Sequence, residues 1–73
     1  VPNPFENEFI IFNNGYNIEQ ITILDEAGRI VFTVASTNNA QQKIDATELA
    51  AGIYVLKIDV KGETTIFEKI IKK

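Results

Sequence analysis

Short stretches of alternating apolar and polar residues follow one another along the chain, and turn-forming residues separate them. Glu8-Phe9-Ile10-Ile11-Phe12 is apolar and β-favouring, which predicts a strand. Asn13-Asn14-Gly15 follows, and Asn-Gly supplies the positive φ of a tight turn, so Gly15 is a structural turn residue. Ile18 to Leu24 is the next strand, with Ile21 and Ile23 on one face and Gln20, Thr22 and Leu24 on the other. Asp25-Glu26-Ala27-Gly28 reads as a turn with Gly28 late in it. Arg29 to Val34 then returns, with Ile30, Phe32 and Val34 alternating against Val31 and Thr33. Those two strands and their turn form the clearest hairpin in the sequence.

Ala35 to Ala40 is small and polar and predicts a loop. Gln42-Lys43-Ile44-Asp45 is a short, weak strand, and Thr47-Glu48-Leu49 a single turn. Gly52 opens the strongest strand. Tyr54, Leu56, Ile58 and Val60 take one face, and Val55, Lys57 and Asp59 the other. Lys61-Gly62-Glu63 turns the chain, with Gly62 as its structural glycine, and Thr64 to Ile71 pairs back. Ile66, Phe67, Ile70 and Ile71 also fit helical spacing. The β-branched Thr64, Thr65, Ile66, Ile70 and Ile71 decide for strand. The expected fold is all-β, a small immunoglobulin-like antiparallel sandwich of about seven short strands. At the start, Val1-Pro2-Asn3-Pro4 reads as a linker-like lead-in or the beginning of an edge strand, because each Pro extends its predecessor.

Leu49-Ala50-Ala51-Gly52-Ile53-Tyr54-Val55-Leu56 has the layout of a tyrosine corner, in which a Tyr near the start of a late strand bonds the backbone a few residues upstream. Gly52 permits the tight approach into the strand. Leu49 then plugs the bottom of the core and Leu56 takes its centre. Docking by the Tyr54 ring is the alternative role.

Composition narrows the function classes. Seventy-three residues make one small domain of marginal stability. The sequence has no Cys and no His, so ordinary disulfide or zinc stapling is not expected. Apolar residues at 45% and charged residues at 23% indicate a globular chain. A net charge of −3 argues against a nucleic-acid partner, which selects a basic face. No apolar run approaches the roughly 20 residues that a membrane-spanning helix requires. Since no signal peptide is visible and residue 1 is Val, the chain is expected to be the end of a longer protein with its export signal upstream.

No enzyme constellation is found. Without His or Cys, the lone Ser36 has no activating base. Asp25-Glu26 reads as turn chemistry and not as a cation site, which needs several oxygens at once. Gly28, Gly52 and Gly62 are too dispersed to cradle a phosphate. No cofactor and no metal are expected. Lys69, Lys72 and Lys73 are a basic docking end or a solvated guard on an edge strand; for Lys72 and Lys73 alone the solvated reading is preferred.

Four pieces, in order, resemble the type A C-terminal sorting domain of type IX secretion cargo. They are Pro2-Asn3-Pro4-Phe5, the Asp-x-x-Gly-Arg-x-Val stretch at Asp25 to Val31, Leu-x-x-Gly-x-Tyr at Leu49 to Tyr54, and Phe67-Glu68-Lys69-Ile70-Ile71-Lys72-Lys73 flush with the end. The resemblance spans nearly the whole chain. It implies a fused N-terminal cargo, exported by Bacteroidota through the periplasm and outer membrane to the cell surface or medium. The implied partners are the type IX translocon, an outer-membrane β-barrel shuttle protein and a sortase-like cysteine peptidase that removes the domain near or before Val1. Gly52, Tyr54, Phe67, Lys69, Ile70, Ile71, Lys72 and Lys73 are the recognition candidates that it carries over. An exposed edge on the C-terminal strand would let such partners pair with it, and self-association through an unpaired edge is a further expectation.

The alternatives are a carbohydrate-binding or adhesive module, or a structural spacer. Sugar stacking calls for several exposed aromatics, and Tyr16 is the only one expected at the surface. A spacer has no need to end within a few residues of its last strand.

Overall fold

The structure, a computed structural model, describes residues 4–36 and 40–73. Six strands run in the order β1 (Glu8–Phe12), β2 (Ile18–Leu24), β3 (Ile30–Ala35), β4 (Gln41–Asp45), β5 (Gly52–Val60) and β6 (Ile66–Lys72). They form two antiparallel sheets, β1-β4 and β3-β2-β5-β6, which enclose one core as an immunoglobulin-like sandwich.

Register explains why this pattern buries well. Ile21 faces Ile58 and Ile23 faces Leu56 across β2 and β5. A bulge between Ile18 and Gln20 shifts parity by one, so Ile18 joins the same face opposite Val60. From the smaller sheet, Phe9, Ile11 and Ile44 close the core, together with Ala46 just past β4. The largest fully enclosed side chains are Phe9, Ile21, Ile23, Ile44, Leu56 and Ile70.

Four expectations about the strands change. Six strands are formed among the described residues instead of about seven. Just after the lead-in, Phe5 makes an isolated parallel bridge to Lys72; Val1, Pro2 and Asn3 of the lead-in lie outside the described residues. The last strand starts at Ile66, not Thr64: Thr64 and Thr65 stay outside the ladder, and Thr65 Oγ1 donates to Asp59 Oδ1 at 3.2 Å. The third departure is Ile30. A bulge between Ile23 and Leu24 on the β3 side sets Ile30 opposite Leu24, out of step with Phe32 and Val34, and leaves it 66% exposed. The predicted loop at Ala35 to Ala40 begins one residue later, since Ala35 ends β3; residues 37–39 of it lie outside the described residues.

The two named turns do different jobs. Asn14 and Gly15 adopt φ of 51° and 85°, and Tyr16 N–H closes the turn on Asn13 C=O at 2.8 Å. This turn carries the chain from one sheet to the other, since β1 pairs with β4 and β2 with β3 and β5. The Asp25–Arg29 turn, by contrast, joins two paired strands.

Candidate functional site

At the entrance to β5, Leu49 N–H bonds Ala46 C=O at 3.1 Å and its side chain packs half-buried against the core. Gly52 starts the strand with φ of 156°, and a Cβ built there meets nothing within 4 Å. Tyr54 buries its ring and donates its hydroxyl to Ala50 C=O at 2.6 Å. That is the bond the tyrosine-corner layout anticipates. Leu56 sits fully enclosed two residues later.

The pleat of β6 divides the recognition candidates into two sets. Ile66, Glu68, Ile70 and Lys72 face inward, opposite Ile58, Leu56, Tyr54 and Gly52 of β5. Phe67, Lys69 and Ile71 face outward, opposite Lys57, Val55 and Ile53. Ile70 is fully enclosed, whereas Phe67 is 63% exposed. Lys73 lies past the strand and is exposed.

Lys72 corrects an expectation. Its solvated reading does not hold: the residue is only 8% exposed, since its position on the inward face lies between Gly52 and the Phe5 bridge. A lysine so placed buries its aliphatic stem and keeps its ammonium at the margin. The aromatic expectation is corrected as well. Tyr16 is exposed, but so are Phe12 and Phe67, because both fall on outward positions of their strands.

Phe67 and Ile71 belong to a larger apolar face. The outward row Ile30–Leu24–Val55–Lys69 crosses all four strands of the larger sheet, with Ile53 and Ile71 paired beside it. Ile30, Ile53, Phe67 and Ile71 are exposed and Leu24 and Val55 half-buried. Lys57 and Lys69 stand among them. The sequence read Leu24, Ile30, Ile53 and Val55 only as alternating strand positions. Their union depends on cross-strand register, which one chain does not display.

The edge of β6 is not bare. Phe5 N–H bonds Ile71 C=O at 2.9 Å, and Lys73 N–H bonds Phe5 C=O at 2.9 Å. The Phe5 ring is buried and meets Phe9 edge-on with centroids 4.8 Å apart. The chain entering the domain is thereby stitched to the C-terminal tip.

Register also joins two motifs that lie far apart in sequence. Leu24 pairs with Val55, which places the Asp25–Arg29 turn beside Gly52–Tyr54 around a shallow depression. Asp25 Oδ1 accepts the N–H groups of Ala27 and Arg29, each at 2.9 Å, and Oδ2 accepts Arg29 Nε at 2.9 Å. The Arg29 N–H, then the guanidinium and the Ala27 N–H, hold the Asp25 carboxyl below its ordinary range against the opposing effect of burial. Gly28 completes the turn at φ of 84°. Asp45 is lowered similarly, chiefly by the Thr47 hydroxyl at 2.6 Å and then by its N–H. Among the described residues, no three Asp or Glu side chains gather in a way that would hold a metal ion.

The fold and these surfaces define a small β-sandwich module whose notable feature is an apolar sheet face with its C-terminal strand at the rim. Over residues 1–73 the chain matches the family model described as the secretion system C-terminal sorting domain, and it belongs to that family. No curated protein and no solved structure shows a significant match to it. Domains of this family are C-terminal sorting signals for type IX secretion. They direct an attached cargo across the outer membrane to the cell surface or extracellular space, and the family is not catalytic.

Proposed function

We propose that residues 1–73 act as one sorting unit, with residues 1–4 leading in from the cargo, and that the type IX translocon reads the outward row of its last strand. Phe67, Lys69 and Ile71 are the contact residues in this reading, with Lys73 at the tip and Gly52 as an open approach. Tyr54, Ile70 and Lys72 act through the fold, since their inward positions offer a partner little surface. The observation that carries the reading is the exposed apolar face in which Phe67 and Ile71 take part. An exposed apolar patch on a small monomer is a common mark of an interaction surface. A β-barrel shuttle protein and a sortase-like cysteine peptidase would act after the translocon, along a route from periplasm to cell surface.

Sugar binding is less well supported. Phe67 faces outward from the larger sheet, away from Phe12 and Tyr16, so the three exposed aromatics do not form one stacking platform.

The test fuses residues 1–73 with a linker behind a signal peptide and a fluorescent reporter, in a bacterium with the type IX machinery. Export is expected in that strain and not in a translocon-deficient one. Removing residues 70–73 is a poor variant, because it also takes Ile70 out of the core. Phe67→Ser, Lys69→Ser and Ile71→Ser together leave the core intact. Full export of that folded variant refutes the outward-row reading without touching the sorting function itself.

A further inference from the structure

β1 is an edge strand of unusual character. The bonds from Asn13 N–H to Ala40 C=O and from Ala46 N–H to Asn7 C=O fix which residues of β1 face β4. By the alternation of an antiparallel ladder, the backbone groups of Ile10 and Phe12 turn the other way. Natural edges are guarded by Lys, Pro or a bulge. β1 has none of these. Its one outward charge, Glu8, is matched by Lys43 of β4 at 3.5 Å. Its other outward side chains are Ile10 and Phe12, which are 36% and 53% exposed.

Beside this strand runs a groove of about 200 Å³, lined by Ile11, Phe12, Tyr16, Ile58, Ile66 and Glu68 among others. It exists because two strands cannot cover four, so Ile66 stays 39% exposed although it sits on the inward face. Small-molecule sites are roughly 300–1,000 Å³, larger than this groove. A few side chains of an added strand suit it better. Its one charged lining residue is Glu68, half-buried and opposite Leu56, and among the described residues it makes no ion pair. A half-buried carboxylate with no ion-pair partner attracts a cation placed beside it.

We propose that the β1 edge and this groove bind an extended segment of a partner protein. The segment adds to β1 as a strand, sets apolar side chains on Ile66 and Ile58, and brings a Lys or Arg to Glu68. Main-chain bonds to Ile10 and Phe12 give affinity, and the alternating side chains give selectivity. The site is separate from the outward row of β6 and does not depend on the role given to that row.

The test is an amide chemical-shift titration of the 73-residue chain with two blocked peptides. Both alternate Val and Thr; one carries a central Lys and the other a central Glu. Saturable shifts are expected, centred on Ile10, Phe12, Ile66 and Glu68. The Lys peptide should bind about fivefold more tightly, the scale of one partly screened ion pair. Ile10→Pro, which removes an outward N–H, should abolish the shifts. Glu68→Gln should erase the difference between the peptides. If a variant fails to fold, the two peptides on the unaltered chain still decide. No saturable shifts, equal binding of both peptides, shifts centred on Phe67 to Ile71, or a dimer of the free chain through β1 would each overturn the proposal.

Discussion

Replacing Tyr54 by Phe removes a single atom group, the hydroxyl that donates to Ala50 C=O at 2.6 Å. The ring stays in the core, so packing against its neighbours is kept. The lost term is one hydrogen bond, with a typical net worth of about 1 kcal/mol. Two features of the site keep the cost near that figure. The bond is short, which favours a full contribution, and Ala50 is exposed, so water can rehydrate its carbonyl and no buried acceptor is orphaned. For 73 residues the unfolding entropy is about 0.15 kcal/mol per kelvin, so 1 kcal/mol lowers Tm by about 6 °C. Thermal unfolding followed by circular dichroism, repeated in urea at constant slope, measures it. A fall of less than about 2 °C would refute the corner as a stabilising element. The same variant, assayed for reporter export well below its midpoint, should sort normally. Lost export at an unchanged midpoint would mean that the hydroxyl is read directly by a partner.

The two faces of β6 should separate in mutation. Ile70→Ala opens a cavity at a fully enclosed position, costing about 2–5 kcal/mol, and should unfold most of so small a domain as judged by urea titration. Phe67→Ser should stay within about 0.5 kcal/mol of the parent while export falls. Asp25 and Asp45 have carboxyls held below their ordinary 3.8, so each favours the folded state above that value and loses its contribution as pH falls through the lowered one. Urea midpoints taken down through that range should fall, and Asp25→Asn should flatten the acid limb. Gly28→Ala meets no steric neighbour, so its cost, about 1 kcal/mol, is the strain of an L-residue at φ of 84°, readable as a lower melting midpoint.

Period-two alternation made most of this fold legible. Tyr54, Leu56, Ile58 and Val60 recur on one side of their strand and are buried as a set. The Asp-x-x-Gly-Arg turn was also legible, because its bonds are local: one carboxylate serves N–H groups two and four residues on. What escaped depends on register and on bulges. Nothing near Ile30 announces that parity slips there, so its exposure could not be read from alternation. Lys72 carries the most soluble of side chains and is buried, because Phe5, sixty-seven positions earlier, covers the strand beside it. Glu68 likewise became notable only when Ile66 and Ile58 were seen to share its groove.

A sorting domain with no Cys must fold without disulfides and still leave something to be read. The pleat of β6 meets both demands with seven residues. Inward Ile70 helps to close the core, while outward Phe67 and Ile71 extend a face that folding does not consume. The two-bond stitch between Phe5 and the end of β6 adds to this arrangement. Phe5, near the start of the described chain, lies at the edge beside which the C-terminal tip ends. Those two bonds tie the first described residues to the end of β6, the strand whose outward row is offered to a partner.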